Sequence, residues 1–323
     1  MRKKDNNISK RKQNNIIRIL TYNLCWEAFE GAKTGIDMTK CIINSENKCT
    51  NNISKIILDF SRDYDFMAFQ EVGNKEIEKL DLPESFIRKY SYETEKQNLD
   101  KVITYYNKNK YTLKKVVKGN ICLNNFQRRS YLGLIFNEKV IIINVHFPHK
   151  DFNEILEKLI KKFSRESEFL DTNYNIILCG DFNHKPNVEL LNKLMRKYGI
   201  NKEFYEKNIS FNTCCRSGNS IGKEYFGQFD NIITTFGKPI TYETITDEKI
   251  GKFTRDGFTY TSDHLPVYAE LKNINMEGGL NKEFYEKAID EKIFKYIDLL
   301  KEDNSLENRE ILDKLLFYKK LIK

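Results

Sequence analysis

The chain is short of the residues that punctuate or kink a polypeptide. Its 323 residues include 15 glycines, 5 prolines, a single tryptophan and 4 histidines. So little glycine and proline excludes a fibrous or low-complexity protein. Seven cysteines (Cys25, Cys41, Cys49, Cys122, Cys179, Cys214 and Cys215) form no CxxC pair, which leaves no zinc-ribbon spacing to read. A bond between Cys41 and Cys49 stays open, and a reduced, intracellular protein, cytoplasmic or nuclear, is otherwise the simplest expectation. No apolar run reaches membrane-spanning length. Nor does an apolar segment follow the basic N-terminus, as a secretory signal requires.

What is present suits a globular chain. Apolar residues make up 40% of it and aromatic residues 13%, enough for a sizeable core, while 31% are charged. The formal charge of +8 invites a polyanionic partner, but its distribution weakens that reading. Seven of the 54 Lys and Arg residues fall in the first eighteen positions against one acid, leaving 47 basic and 45 acidic residues elsewhere. Residues 1–15 are therefore expected to form a basic, flexible arm on a nearly neutral body.

That body alternates β-rich runs with amphipathic segments. Strands are expected at Ile16–Asn23, Asp65–Glu71, Val102–Tyr106, Tyr131–Phe136, Val140–His146, Asn175–Gly180, Phe229–Thr235 and Leu265–Leu271. Helical spacing links Ile53, Ile56, Ile57 and Phe60. It also links Phe152, Ile155, Leu156, Leu159, Ile160 and Phe163, with Asp151 as the expected N-cap. A third stripe, Val188, Leu191, Leu194, Met195 and Tyr198, stops at Gly199. Beyond the joint at Met276–Gly279, residues 274–323 read as two further helices packed as a C-terminal extension.

The chemistry gathers at strand ends. TYN (Thr21–Asn23), QEV (Gln70–Val72), NVHFPH (Asn144–His149), CGDFNHKP (Cys179–Pro186) and TSDHLPV (Thr261–Val267) end apolar runs with carboxylate, amide or imidazole, and QFDNII (Gln228–Ile233) places Asp230 at a similar position. Any one of them is an ordinary strand-end turn, since Asp and Asn favour turns. The histidines sharpen the case: His146, His149, His184 and His264 all lie in or beside these segments. Phosphate-ester hydrolysis needs such a set: a hard cation, a positioned water, a base and hydrogen-bond donors.

The ordered set TYN, QEV, H, GDFN, D and SDH resembles the endonuclease/exonuclease/phosphatase superfamily over roughly Ile16 to Leu271. The resemblance implies an α+β fold, a four-layer α/β/β/α sandwich of two mainly antiparallel sheets flanked by helices, spanning 16–273. It implies Mg2+ as cofactor, with Mn2+ able to substitute. Glu71 is then the principal metal ligand, Asn23 its neighbour, and Asp263 a candidate for a second ion or a structural hydrogen bond. Asp181 orients or deprotonates the attacking water, Asn183 donates to the phosphate, and His264 contacts the phosphate or moves a proton. Asp230 fixes the His264 ring and His146 completes the donor set. Tyr106, Arg128 and Arg129 are candidate substrate contacts. A nuclease acting on DNA or RNA is the leading expectation. A phosphatase or phospholipase-C-like hydrolase of inositol phosphates or sphingomyelin is the first rival, and an inactive binding protein of the same fold the second.

Overall fold

Period-two and period-3.6 patterns translate into elements that run, in chain order, β1 (Ile16–Asn23), α1 (Lys48–Asp63), β2 (Phe66–Val72), α2 (Glu84–Lys89), β3 (Tyr90–Glu95) and β4 (Lys101–Asn107). There follow β5 (Leu113–Leu123), β6 (Gln127–Phe136), β7 (Val140–His146), α3 (Phe152–Phe163), α4 (Ser167–Leu170) and β8 (Asn175–Asp181). The series closes with α5 (Val188–Lys197), β9 (Asp230–Thr234), β10 (Thr241–Thr244) and β11 (Val267–Lys272). The computed structural model describes residues 16–24, 48–72, 82–95, 101–123, 127–206, 212–214, 227–245, 262 and 264–272, with isolated C-terminal positions between 293 and 316.

The strands make two sheets. One has the order β10-β11-β1-β2-β4-β3, the other β5-β6-β7-β8-β9. Each carries one parallel pairing, β1 with β2 and β7 with β8, in an otherwise antiparallel ladder. The helices cover the outer faces. Ile56, Ile57 and Phe60 of α1 pack with Leu20, Tyr22, Met67 and Phe69 of the first sheet. Ile155, Leu156, Leu159, Ile160 and Phe163 of α3 pack with Ile141, Ile143, Val145, Ile176 and Leu178 of the second. The spacing of the α3 set puts it on one face of the helix. Burying each such side chain contributes about 1.5–3 kcal/mol.

Several expectations need amendment. β3, β5, β10 and the short α2 were not anticipated, because their polar and charged residues break the apolar runs. Asp151 does precede α3, but its φ of 60° is left-handed and its side chain caps nothing. Asn187 supplies the side-chain cap for α5 instead, accepting from the Leu190 amide at 2.9 Å. Cys214 is disulfide-bonded, against the expectation of reduced thiols, whereas Cys122 and Cys179 are free.

Ile16–Lys272 forms one compact unit, and 1–15 with 273–323 are assigned to another. The basic arm lies outside the described residues, as do most positions of the two C-terminal stripes; Ile293, Ile297, Leu300 and Ile311 are helical. Among the described residues no helix is long and apolar enough to cross a membrane.

Candidate active site

Alternation along the strands grades the layer between the sheets from apolar to polar. On β1, Leu20 and Tyr22 face the helix side, so Ile19, Thr21 and Asn23 face the other sheet. In the middle of that layer the amides of Gln70 (β2) and Asn144 (β7) meet. Gln70 Nε2 donates to Asn144 Oδ1 at 2.7 Å and to Thr21 Oγ1 at 3.0 Å. Asn144 Nδ2 donates to the Ile103 and Phe69 carbonyls and to Thr104 Oγ1, at 3.0–3.2 Å. This buried tie joins the sheets just short of the polar end.

At that end, register puts His146, Asp181 and Asp230 side by side on β7, β8 and β9. Asn23 crosses from the first sheet, its Nδ2 donating to Asp181 Oδ2 at 2.9 Å and to Glu71 Oε1 at 3.0 Å. Glu71 reaches the same space because the β2–β4 ladder is irregular between Phe69 and Val72, with Glu71 at φ 52°. An extra residue in a strand turns a side chain off its regular alternation, so consecutive Gln70 and Glu71 both point inward.

The GDFN segment has a local logic. Gly180 lies where β8 runs parallel against Val145; a Cβ there would stand 1.9 Å from the Val145 carbonyl oxygen, at a φ of 139°. Only glycine fits. Asn183, at φ 52°, donates its backbone N–H to Asp181 Oδ1 at 2.8 Å, and its Nδ2 donates to the Phe147 carbonyl at 2.7 Å. Asn tolerates the left-handed turn that this bond closes.

His264, just before β11, sets Nδ1 2.7 Å from Asp230 Oδ2, and its Nε2 lies 3.9 Å from Asp181 Oδ2. Its backbone N–H donates to Ser262 Oγ, which in turn donates to the Asn23 carbonyl. His146 Nε2 stands 3.6 Å from both Glu71 Oε1 and Asp181 Oδ2, while its buried Nδ1 has no partner among the described residues.

Burial governs the electrostatics. It pushes the Asp181 carboxyl far above the usual carboxylate range; His264 and the bonds from Asn23 and Asn183 pull it down, and Asp230 pushes it up. Burial, then the charges of Arg129, His264 and His149, holds His146 well below its ordinary value, so its imidazole is neutral. His149 is lowered by the same kinds of influence, burial first. A buried carboxylate that resists ionisation, beside a second carboxylate, gains most from a nearby cation.

Among the described residues, two sets of ligand atoms lie close enough to share an ion: Glu71, His146 and Asp181, and Asp181, Asp230 and His264, the atoms of each set within 4.8 Å of one another. Carboxylate oxygens suit hard ions such as Mg2+. The donor set therefore fits a divalent cation.

Asn23, Glu71, His146, Asp181, Asn183, Asp230 and His264 are thus brought together. Arg129 is half-buried on β6, close enough for its charge to act on His146. Tyr106 is not brought in. It pairs with Phe66, at the far end of β2 from Glu71, and its ring packs on Phe136 at 5.2 Å. At Glu71's end, β4 instead contributes the buried Lys101, opposite Val72. Asp263 and the Arg128 side chain lie outside the described residues. Gln70, Asn144, Ser262 and Thr213 were missed as individual contributors, although the first three stand inside motifs already singled out.

Two sheets layered between helices, with a polar cluster at one end, form the architecture that the comparisons also find. The chain belongs to the endonuclease/exonuclease/phosphatase family, whose model matches residues 20–263. Truncated TDP2 of Caenorhabditis elegans superposes with a TM-score of 0.57 at 14% identity, covering 80% of this chain and 97% of that one. TDP2 of D. rerio, complexed with a single-strand DNA product, gives 0.52 at 12% identity, covering 79% and 98%. ANGEL2, a 2',3'-cyclic phosphatase in complex with adenosine-2',3'-vanadate, gives 0.51 at 16% identity, covering 80% and 96%. At such identities these structures share the fold. The uncharacterised protein L684 of Acanthamoeba polyphaga mimivirus is 29% identical over 167 residues, 50% of this chain and 31% of that protein. The match thus spans under a third of that relative's length.

Proposed function

We infer that this chain is a divalent-metal-dependent phosphodiesterase that hydrolyses nucleic acid, with Mg2+ as the working ion and Mn2+ able to replace it. The observation that carries the reading is the convergence of Asn23, Glu71, His146, Asp181, Asn183, Asp230 and His264, from both sheets, on one polar end. Glu71, with Asn23 and Asp181 beside it, is the group to hold the cation, which would offset charge on the phosphate oxygens.

The remaining steps belong to the protein's own side chains. Asp181 holds the attacking water and takes its proton as the water oxygen bonds to phosphorus and the ester P–O bond breaks. Bonds from Asn23 and from the Asn183 amide hold its carboxyl in place for that task. Asn183 turns one amide hydrogen to the phosphate while the other stays on the Phe147 carbonyl. His264, its ring fixed by Asp230, presents Nε2 to the oxygens that gain charge. His146 is a neutral donor between the two carboxylates, and Arg129 a backbone contact for the substrate. The DNA product bound by a TDP2 of the same fold supports a nucleic-acid substrate.

The test is incubation of end-labelled single- and double-stranded DNA and RNA in Mg2+, with EDTA and His264→Ala controls. Cleavage that needs both the metal and His264 is the expected result. No cleavage of any of the four polymers would overturn the nuclease reading and redirect assays to small phosphate esters and lipid headgroups. Release of inorganic phosphate or phosphocholine would then identify the substrate class.

A further inference from the structure

We propose that Thr213 is a positioning residue for the Asp230–His264 pair, an inference that rests on the role given to His264 above. The pair joins the two sheets. Asp230 opens β9 of the second sheet and His264 precedes β11 of the first, yet Oδ2 and Nδ1 meet at 2.7 Å. Such a contact needs backbone anchors on both sides, and Thr213 provides one to each.

Thr213 is fully buried. Its Oγ1 accepts from the Asp230 amide at 2.9 Å and the Phe229 amide at 3.1 Å, and donates to the Gly227 carbonyl at 3.3 Å. Its own amide donates to Gly227 at 2.7 Å, and its carbonyl accepts from the amide of Leu265, the residue after His264, at 2.8 Å. One residue therefore grips the chain at the aspartate and at the histidine. Ser262 holds the other side of His264, tying its amide to the Asn23 carbonyl. The hydroxyl is what the arrangement requires: serine can accept the same two amides, whereas isosteric valine leaves both buried and unpaired.

The experiment compares Thr213→Val and Thr213→Ser in the full chain, each alone and on His264→Ala, by steady-state cleavage and by NMR of the His264 imidazole. Thr213→Val is expected to lower kcat by about 100-fold through displacement of the ring, with KM and the Mg2+ requirement within about 3-fold of wild type. Thr213→Ser keeps wild-type turnover. On His264→Ala the valine substitution costs less than about 3-fold more, because both changes act through one unit. The hydrogen-bonded Nδ1–H resonance of His264 broadens or vanishes in Thr213→Val and persists in Thr213→Ser. Should the valine variant not fold, Thr213→Ala, which admits a water to the two amides, takes its place.

An unchanged kcat with an unchanged resonance overturns the proposal. So does a serine variant as impaired as the valine one, or a full 100-fold loss on the His264→Ala background. If the wild type cleaves no phosphoester, the functional reading fails on its own, while the resonance still decides whether Thr213 holds the histidine.

Discussion

Replacing Asn144 by leucine tests the tie between the sheets, and the structure supplies the magnitude. Asn144 is fully buried and fills four hydrogen-bonding roles, three as donor and one as acceptor. Its two amide hydrogens share three acceptors, so the substitution removes about three effective bonds at roughly 1 kcal/mol each. Gln70 Nε2 keeps Thr21 and Ala68 as acceptors, which limits the damage. Leucine has the branching of asparagine and is the bulkier side chain, so the substitution leaves no cavity. A loss of about 3 kcal/mol is expected, a sizeable part of the 5–15 kcal/mol that holds a typical domain together.

Urea unfolding followed by fluorescence and circular dichroism measures it, with m compared between variants to confirm that the transition remains two-state. The double variant Gln70→Leu/Asn144→Leu should be less destabilised than the sum of the singles, because it removes the stranded partner as well. A loss below about 1 kcal/mol, or strict additivity in the double variant, would refute the view that these amides act as one buried network.

Three further outcomes are expected. Glu71→Gln should raise the Mg2+ concentration needed for half-maximal cleavage, and an unchanged metal titration would remove Glu71 from the site. Gly180→Ala should leave little folded protein, visible as loss of soluble protein and of near-ultraviolet signal, since the added carbon meets the Val145 backbone rather than a movable side chain; a native-like melting curve would contradict the register of β7 and β8. The bond from Lys114 holds Glu168 down at about 2, from 4.5. A lowered folded-state value stabilises the protein above pH 4.5, and that contribution drains away as pH falls toward 2. Lys114 is exposed, so solvent screens the pair and the effect is small. Lys114→Met should flatten the acid limb of a stability–pH curve over that window, and an unaltered limb would count against the pair.

Much of the site was legible because its residue types sit where apolar runs end. Asn23, Asp181 and His146 each terminate a strand, and strand ends are where backbone alternation gives out and polar groups can meet. The tripeptide QEV could be read as a strand end. That its Gln points into a buried network while its Glu turns into the site could not, since the irregular pairing that does this belongs to the contact with β4.

Sequence alone determined the order and identity of the main elements, the helix faces that cover the sheets, and the polar groups available for catalysis. These follow from side-chain periodicity within one segment. Tertiary structure decided which of those groups meet. The antiparallel register of β2 with β4 sends Tyr106 to the far end and brings Lys101 to Glu71's level. The meeting of two sheets sets Asp230 against His264, 34 residues away, with Thr213 as their shared support. Register and cross-sheet contact are non-local, and a one-residue slip would reverse every face. No local pattern in this chain encodes them.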